Sequence, residues 1–148
     1  MIIAVREIYL KNFDSLYNEI AGYSNESDLW VIKDDILNSA GNLALHLIGN
    51  INFFIGTYLG DTGYVRDRDK EFSDKNVAKQ KLLDDIRATK LMVETTLSSY
   101  SDADADKIYP IDKFGEGRTI SFVLMYLLAH LNYHLGQINY HRRLLTTS

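Results

Sequence analysis

The sequence has no cysteine in its 148 residues. That excludes disulfides, thiolate-bound metals and a cysteine nucleophile. Any metal must be held by nitrogen or oxygen. Proline is almost absent as well, with Pro110 alone. Long helices tolerate few prolines, so the scarcity favours an all-α fold. There is no excess of positive charge. The formal net charge is −4, and Arg142-Arg143 is the only adjacent basic pair. Such a chain has no general attraction for nucleic acid or anionic lipid. Long apolar runs are missing too. The longest, Ile120 to Leu131, is broken by Ser121 and His130 and is too short to cross a bilayer. The segment Met1 to Glu7 carries no secretory pattern, so a cytoplasmic protein is expected and the sequon Asn25-Glu26-Ser27 is given no role. No glycine-rich phosphate loop, nucleophile elbow or paired Glu-x-x-His of a di-iron bundle occurs.

What is present is helical periodicity. With 46% hydrophobic residues, the chain can build one core, and residues 1–148 read as a single domain. A first helix is expected from about Ile3 to Ala21. There Val5, Tyr9, Phe13, Leu16 and Ile20 recur every three or four residues, and Gly22 is a stop. A connector follows, with Trp30 as a hydrophobic lid on one end of the fold. A second helix is expected from Ser39 to Leu59, capped by Asn38 or Ser39 and ended by Gly60. Gly49, Gly56 and Gly60 fall near one line of it, which suggests close approach of another backbone. Asp61 to Glu71 reads as a charged loop. A third helix is expected from Ser73, stapled by Phe72 and Val77, to Tyr100, with Ala78, Leu82, Ile86, Val93 and Leu97 inward. Asp102 to Asp106 reads as a loop. A fourth helix, Thr119 to Leu145, is apolar nearly all round. It must be central or covered by a second subunit. Four helices joined by three connectors fit a four-helix bundle.

The chain has four histidines, three of them on the last helix. His130 and His134 stand one turn apart on one face, a spacing that lets two imidazoles meet one ion. His46, midway along the second helix, supplies a third if helices two and four are neighbours. Hydrogen-bonded core histidines are the alternative. Three imidazoles would leave a coordination position for water or substrate. His130-Leu131-Asn132-Tyr133-His134 lacks the glutamate of a zinc-protease helix, so no built-in base accompanies the pair. His141 lies about 10 Å further along the axis, too far to join them. It reads as a helix-end residue suited to the C-terminal dipole.

Three segments carry a family resemblance. Asn38-Ser39-Ala40-Gly41-Asn42-Leu43-Ala44-Leu45-His46-Leu47-Ile48-Gly49-Asn50 resembles the second-helix motif of the DinB-like superfamily. Arg66-Asp67-Arg68-Asp69-Lys70-Glu71-Phe72 resembles a loop motif of one uncharacterised branch. His130-Leu131-Asn132-Tyr133-His134-Leu135-Gly136-Gln137-Ile138 resembles its C-terminal His-x-x-x-His-x-Gly-Gln-Ile motif. The resemblance covers essentially the whole chain. It implies a four-helix bundle, often a homodimer, with one divalent metal ion (zinc, nickel or iron) on His46, His130 and His134. It also implies small-molecule substrates, in some relatives handled with a low-molecular-weight thiol. The expected activity is thiol transfer or hydrolysis on a small electrophile. The rival is a non-enzymatic metal-bound bundle acting as a stress or interaction module.

Further residues flank the histidines. Asn42 and Asn50 stand one turn either side of His46, as supports for the ring, as substrate contacts, or as a cap and a buried hydrogen-bonding group. Gln137 lies near His134 and can orient a ligand or join helices. Tyr126, Tyr133 and Tyr140 recur every seven residues, for packing, although Tyr133 could reach a metal-bound water. Arg66 and Arg68 are either part of a solvated charge run or a grip on carboxylate or phosphate.

Overall fold

A computed structural model describes residues 1–145, and these are all-helical, with no strand; one isolated bridge joins Ile108 and Thr119. Four helices are long: α1 (Ile2–Ala21), α2 (Ala40–Ile51, prolonged by a π-helical segment Asn52–Thr57 and a last turn Tyr58–Gly60), α4 (Lys79–Ser98) and α6 (Ile120–Leu145). Two are short: α3 (Arg68–Ser73) and α5 (Asp102–Ala105).

The apolar stripe of α1 does what its spacing dictates. Val5, Tyr9, Phe13, Leu16 and Ile20 are all buried. Two buried hydroxyls find partners, one on this face and one in the segment after α5. The Tyr9 hydroxyl donates to the Leu124 carbonyl at 2.5 Å, and the Tyr109 hydroxyl donates to the Phe54 carbonyl at 2.7 Å. Burial then holds the Tyr9 phenol well above its ordinary pKa. Helix α1 packs on α4 and α6, and α2 packs on α3, α4 and α6. Direction follows from the contacts. Lys90 meets Asp14 and Arg6 meets Ser98, so α4 runs against α1. Asn139 meets Glu19 and Tyr9 meets Leu124, so α6 runs with α1. The segment Ala40–Gly60 is long and apolar enough to cross a membrane, but most of it is buried inside the protein, as a core helix of a soluble protein is.

Ser39 caps α2 by accepting from the Asn42 backbone N–H at 3.2 Å. The helix stops at Gly60 because Asp61 turns into the left-handed region, φ 48°. The glycine line behaves differently from the expectation. Side chains, not a backbone, approach it. A Cβ on Gly49 would lie 2.0 Å from Glu71 Oε2, one on Gly56 3.1 Å from Thr62 Oγ1, and one on Gly60 2.5 Å from Thr96 Oγ1. Trp30 closes a 3₁₀ turn, Glu26–Trp30, and its ring covers the first turn of α2 at Gly41.

The third long helix starts later than its capping signal suggests. Ser73 ends α3, Asp74 is extended, Asn76 is left-handed at φ 57°, and α4 begins at Lys79 with Ala78 as an exposed cap. The reason is Asn42. Its amide donates to the carbonyls of Glu71 at 2.9 Å and Asp74 at 2.8 Å, which holds those groups out of a continuous helix. Asp102–Ala105 is likewise not loop but one helical turn, closed by a capping box between Ser101 and Asp104.

His141 is not a solvent-facing helix-end charge. It is buried. Its Nδ1 accepts from the Tyr23 hydroxyl at 2.6 Å, which leaves Nε2–H to donate to the Val31 carbonyl at 2.9 Å. Three chain segments meet there. His141→Leu should therefore cost about 2 kcal/mol, since it leaves the buried Tyr23 hydroxyl only the long 3.5 Å contact with the Ile138 carbonyl and takes the donor from the Val31 carbonyl. Urea unfolding would measure it, and a change under about 0.5 kcal/mol would show the network to be dispensable.

Candidate metal centre

The pair on α6 and the single histidine on α2 face each other because these helices pack side by side. His46 is buried, and His130 and His134 are half-buried. Their Nε2 atoms converge. His130 Nε2 lies 3.1 Å from His46 Nε2 and 3.1 Å from His134 Nε2. One ligand atom from each ring lies within 4.8 Å of the others, so the three could hold a metal ion. Bonds of about 2.0–2.1 Å in a tetrahedral arrangement would set nitrogens roughly 3.4 Å apart. The observed spacing is a few tenths of an ångström tighter.

The far nitrogens decide the tautomers. His46 Nδ1–H donates to Glu71 Oε1 at 2.9 Å, and His134 Nδ1–H donates to Gln137 Oε1 at 2.7 Å. Both rings are thereby left with Nε2 as a lone pair pointing into the cluster. His130 can offer at most one Nε2–H, which serves one neighbour and not both. Its Nδ1 is buried without a hydrogen-bond partner. Protonation does not supply a second hydrogen readily. Burial, then the neighbouring His134, His46 and Arg66, lower the His130 pKa to about 4. Burial lowers that of His134 as well. A cation between the three nitrogens removes the unshared contact.

Glu71, on α3, is the residue that sequence reasoning missed. It is buried and shared. Oε1 accepts from His46, while Arg66 grips both oxygens, Nε to Oε2 at 2.8 Å and Nη2 to Oε1 at 2.9 Å. Burial alone would raise its pKa, but the hydrogen bonds from Arg66 and His46 outweigh this and lower it. The signals for it were its place in the Arg66–Phe72 motif and Gly49, a residue without a side chain one turn from His46.

The other candidates fall into place around this. Arg66 serves Glu71. Asn42 is buried and holds the Glu71–Asp74 backbone to α2, away from the histidine nitrogens. Gln137 fixes His134. Tyr133 is exposed on the outer side of α6, its ring 5.3 Å from that of His134, rather than directed at the cluster centre. Asn50 is buried with its Oδ1 unpartnered, and it lines a cavity of about 630 Å³ beside His46 and His130. Arg68 stands at that cavity with its guanidinium 5.2 Å from the Phe72 ring centre.

A family model described as "Protein of unknown function (DUF1572)" matches residues 5–148. No curated protein and no solved structure matches the chain.

Proposed function

The chain belongs to the DUF1572 family, and from that premise we propose that it is a single-domain, DinB-like four-helix bundle holding one divalent ion on His46, His130 and His134. One observation carries this reading. Three Nε2 atoms converge, and the partners of two of those rings leave lone pairs facing inward. Zinc suits an all-imidazole set, and nickel or iron would fit the same nitrogens.

The preferred activity is thiol transfer or hydrolysis on a small electrophile. An ion bound there would supply Lewis acidity, able to activate water or hold a thiol as thiolate. The protein's own residues do the rest. Glu71 and Gln137 fix two rings, Arg66 keeps Glu71 ionised, and the adjacent cavity gives a small molecule access to His46 and His130. With no cysteine in the chain, any thiol comes from outside. The cavity also weighs against the rival, a non-enzymatic module with a purely structural ion. Among the described residues no fourth His, Cys, Asp or Glu joins the cluster.

Elemental mass spectrometry on untagged, gel-filtered protein tests the centre. About one divalent ion per chain is expected, lost in His46→Ala, His130→Ala and His134→Ala. Wild-type protein that takes up no ion even after reconstitution would return the histidines to ordinary packing.

We propose in addition that the active form is a cytoplasmic homodimer. The support is the outer face of α6, where Phe122, Tyr126, Tyr133 and Tyr140 are all exposed. With Ala129 and Gly136 between them they alternate steps of four and three, the seam of two packed helices. Gly136 has open space where a Cβ would stand, which admits a second backbone. Sedimentation should give twice the chain mass of 17.0 kDa. Tyr133→Glu should halve it. A wild-type monomer at micromolar concentration would end the idea.

A further inference from the structure

The cavity against His46 and His130 differs in charge from its surroundings. The chain is acidic overall. A neighbouring cavity, between α2, α4 and the Tyr64–Asp74 segment, is lined by the acids Asp67, Glu71, Asp74 and Asp85 as well as by Lys70 and Lys81. The cavity beside the histidines has no carboxylate in its lining, although Arg66, Arg68 and Lys113 all reach it. Arg66 is neutralised by Glu71. Arg68 and Lys113 pair with no carboxylate among the described residues, so two positive charges stand at its rim uncompensated. Behind them the wall is aromatic. Phe53, Phe54, Phe114 and Tyr126 line it, with ring centroids 5.0 Å apart for Phe53 and Phe54 and 4.8 Å apart for Phe54 and Phe114. Asn50 also lines it, although its Oδ1 is closed off from solvent.

We propose that this cavity binds a small molecule with an oxyanion at one end and an apolar, ring-sized body. Each feature selects one part. Arg68 and Lys113 take a carboxylate or phosphate, and Arg does so with a fixed fork of donors. The aromatic wall takes the body. At about 630 Å³ the space matches a single small ligand rather than a macromolecule. The proposal rests on the reading of the histidines as the reacting centre, since it places the ligand against them. It also replaces Arg66, which is committed to Glu71, with Lys113 as the partner of Arg68.

The test is calorimetric titration of full-length protein with phenylacetate, phenyl phosphate and the neutral phenylacetamide, with metal content measured on the same samples. At least one of the anions should bind, and the tighter of the two identifies the oxyanion source. Phenylacetamide should bind at least about tenfold more weakly. Arg68→Glu/Lys113→Glu changes two exposed side chains, so folding is not at stake. It should weaken anion binding by about tenfold or more and leave metal content unchanged. No anion binding, equal binding of the amide, or binding untouched by the charge reversal would overturn the inference. Charge-dependent binding by a protein that holds no metal would keep the anion site and reject the metal centre. A metal-loaded protein without charge-dependent binding would do the reverse.

Discussion

Glu71→Ala should lose about 3–5 kcal/mol of folding stability and about 10- to 100-fold in metal affinity. The two losses have different origins. Stability falls because the Arg66 guanidinium stays buried with nothing opposite it, and because the His46 Nδ1–H loses its acceptor. Metal affinity falls because that acceptor is what leaves Nε2 as the free lone pair and fixes the ring. A second variant separates these effects. Replacing both members by an apolar residue of similar length, Arg66→Met/Glu71→Met, removes the uncompensated charge, and such replacements are often neutral in stability. Stability should largely return while metal affinity stays low. If affinity returns with stability, Glu71 acts only by packing. Glu71→Gln should lie between, since its amide oxygen can still accept from His46 but pairs poorly with Arg66. Denaturant unfolding and competition with a chelator read the two quantities independently.

The elements that were legible in the sequence are those whose signal is local. The α1 stripe needs only its own spacing. The Ser39 cap needs only its own hydroxyl and the Asn42 N–H. The pair His130 and His134 needs only the pitch of a helix. The histidine of α2 joined them because two long apolar helices had to pack. What could not be read depends on contacts distant in sequence. Phe72-Ser73 looks like the start of a helix, yet Asn42, about thirty residues earlier, claims the carbonyls of Glu71 and Asp74 and delays the start to Lys79. His141 at a helix end looks solvated until Tyr23 and Val31 arrive from the opposite end of the chain. The π-helical segment has no sequence pattern of its own. Asn52 occupies it by donating to the Ile48 carbonyl and Thr89 Oγ1, both at 2.8 Å. Glu71 was hidden for a plainer reason. In a run of alternating charges every acid looks solvated, and nothing local marks the one that Arg66 carries inward.

Gly49→Ala should be strongly destabilising, by roughly 2–3 kcal/mol net, although in an ordinary helix interior the same change would gain about 1 kcal/mol. The added Cβ would lie 2.0 Å from Glu71 Oε2 and 2.6 Å from its carboxyl carbon, which is no contact that atoms make. A long side chain can usually swing away from such a clash. Glu71 cannot do so freely, because one oxygen is bound to His46 and Arg66 and the other to Arg66. Moving it breaks three hydrogen bonds at once. The same substitution should therefore lower metal affinity although it touches no ligand, because His46 loses its orienting partner. The cause is open to a direct check. In Gly49→Ala/Glu71→Ala the obstructing carboxylate is gone, so the two costs should not add. The double variant should be about as stable as Glu71→Ala alone, or slightly better by the helix preference for alanine. A coupling of about 2 kcal/mol or more in the cycle would locate the role of Gly49 in making room for the carboxylate. Strict additivity would mean that its small size serves something else, and the account of how His46 is held would have to be rebuilt without it.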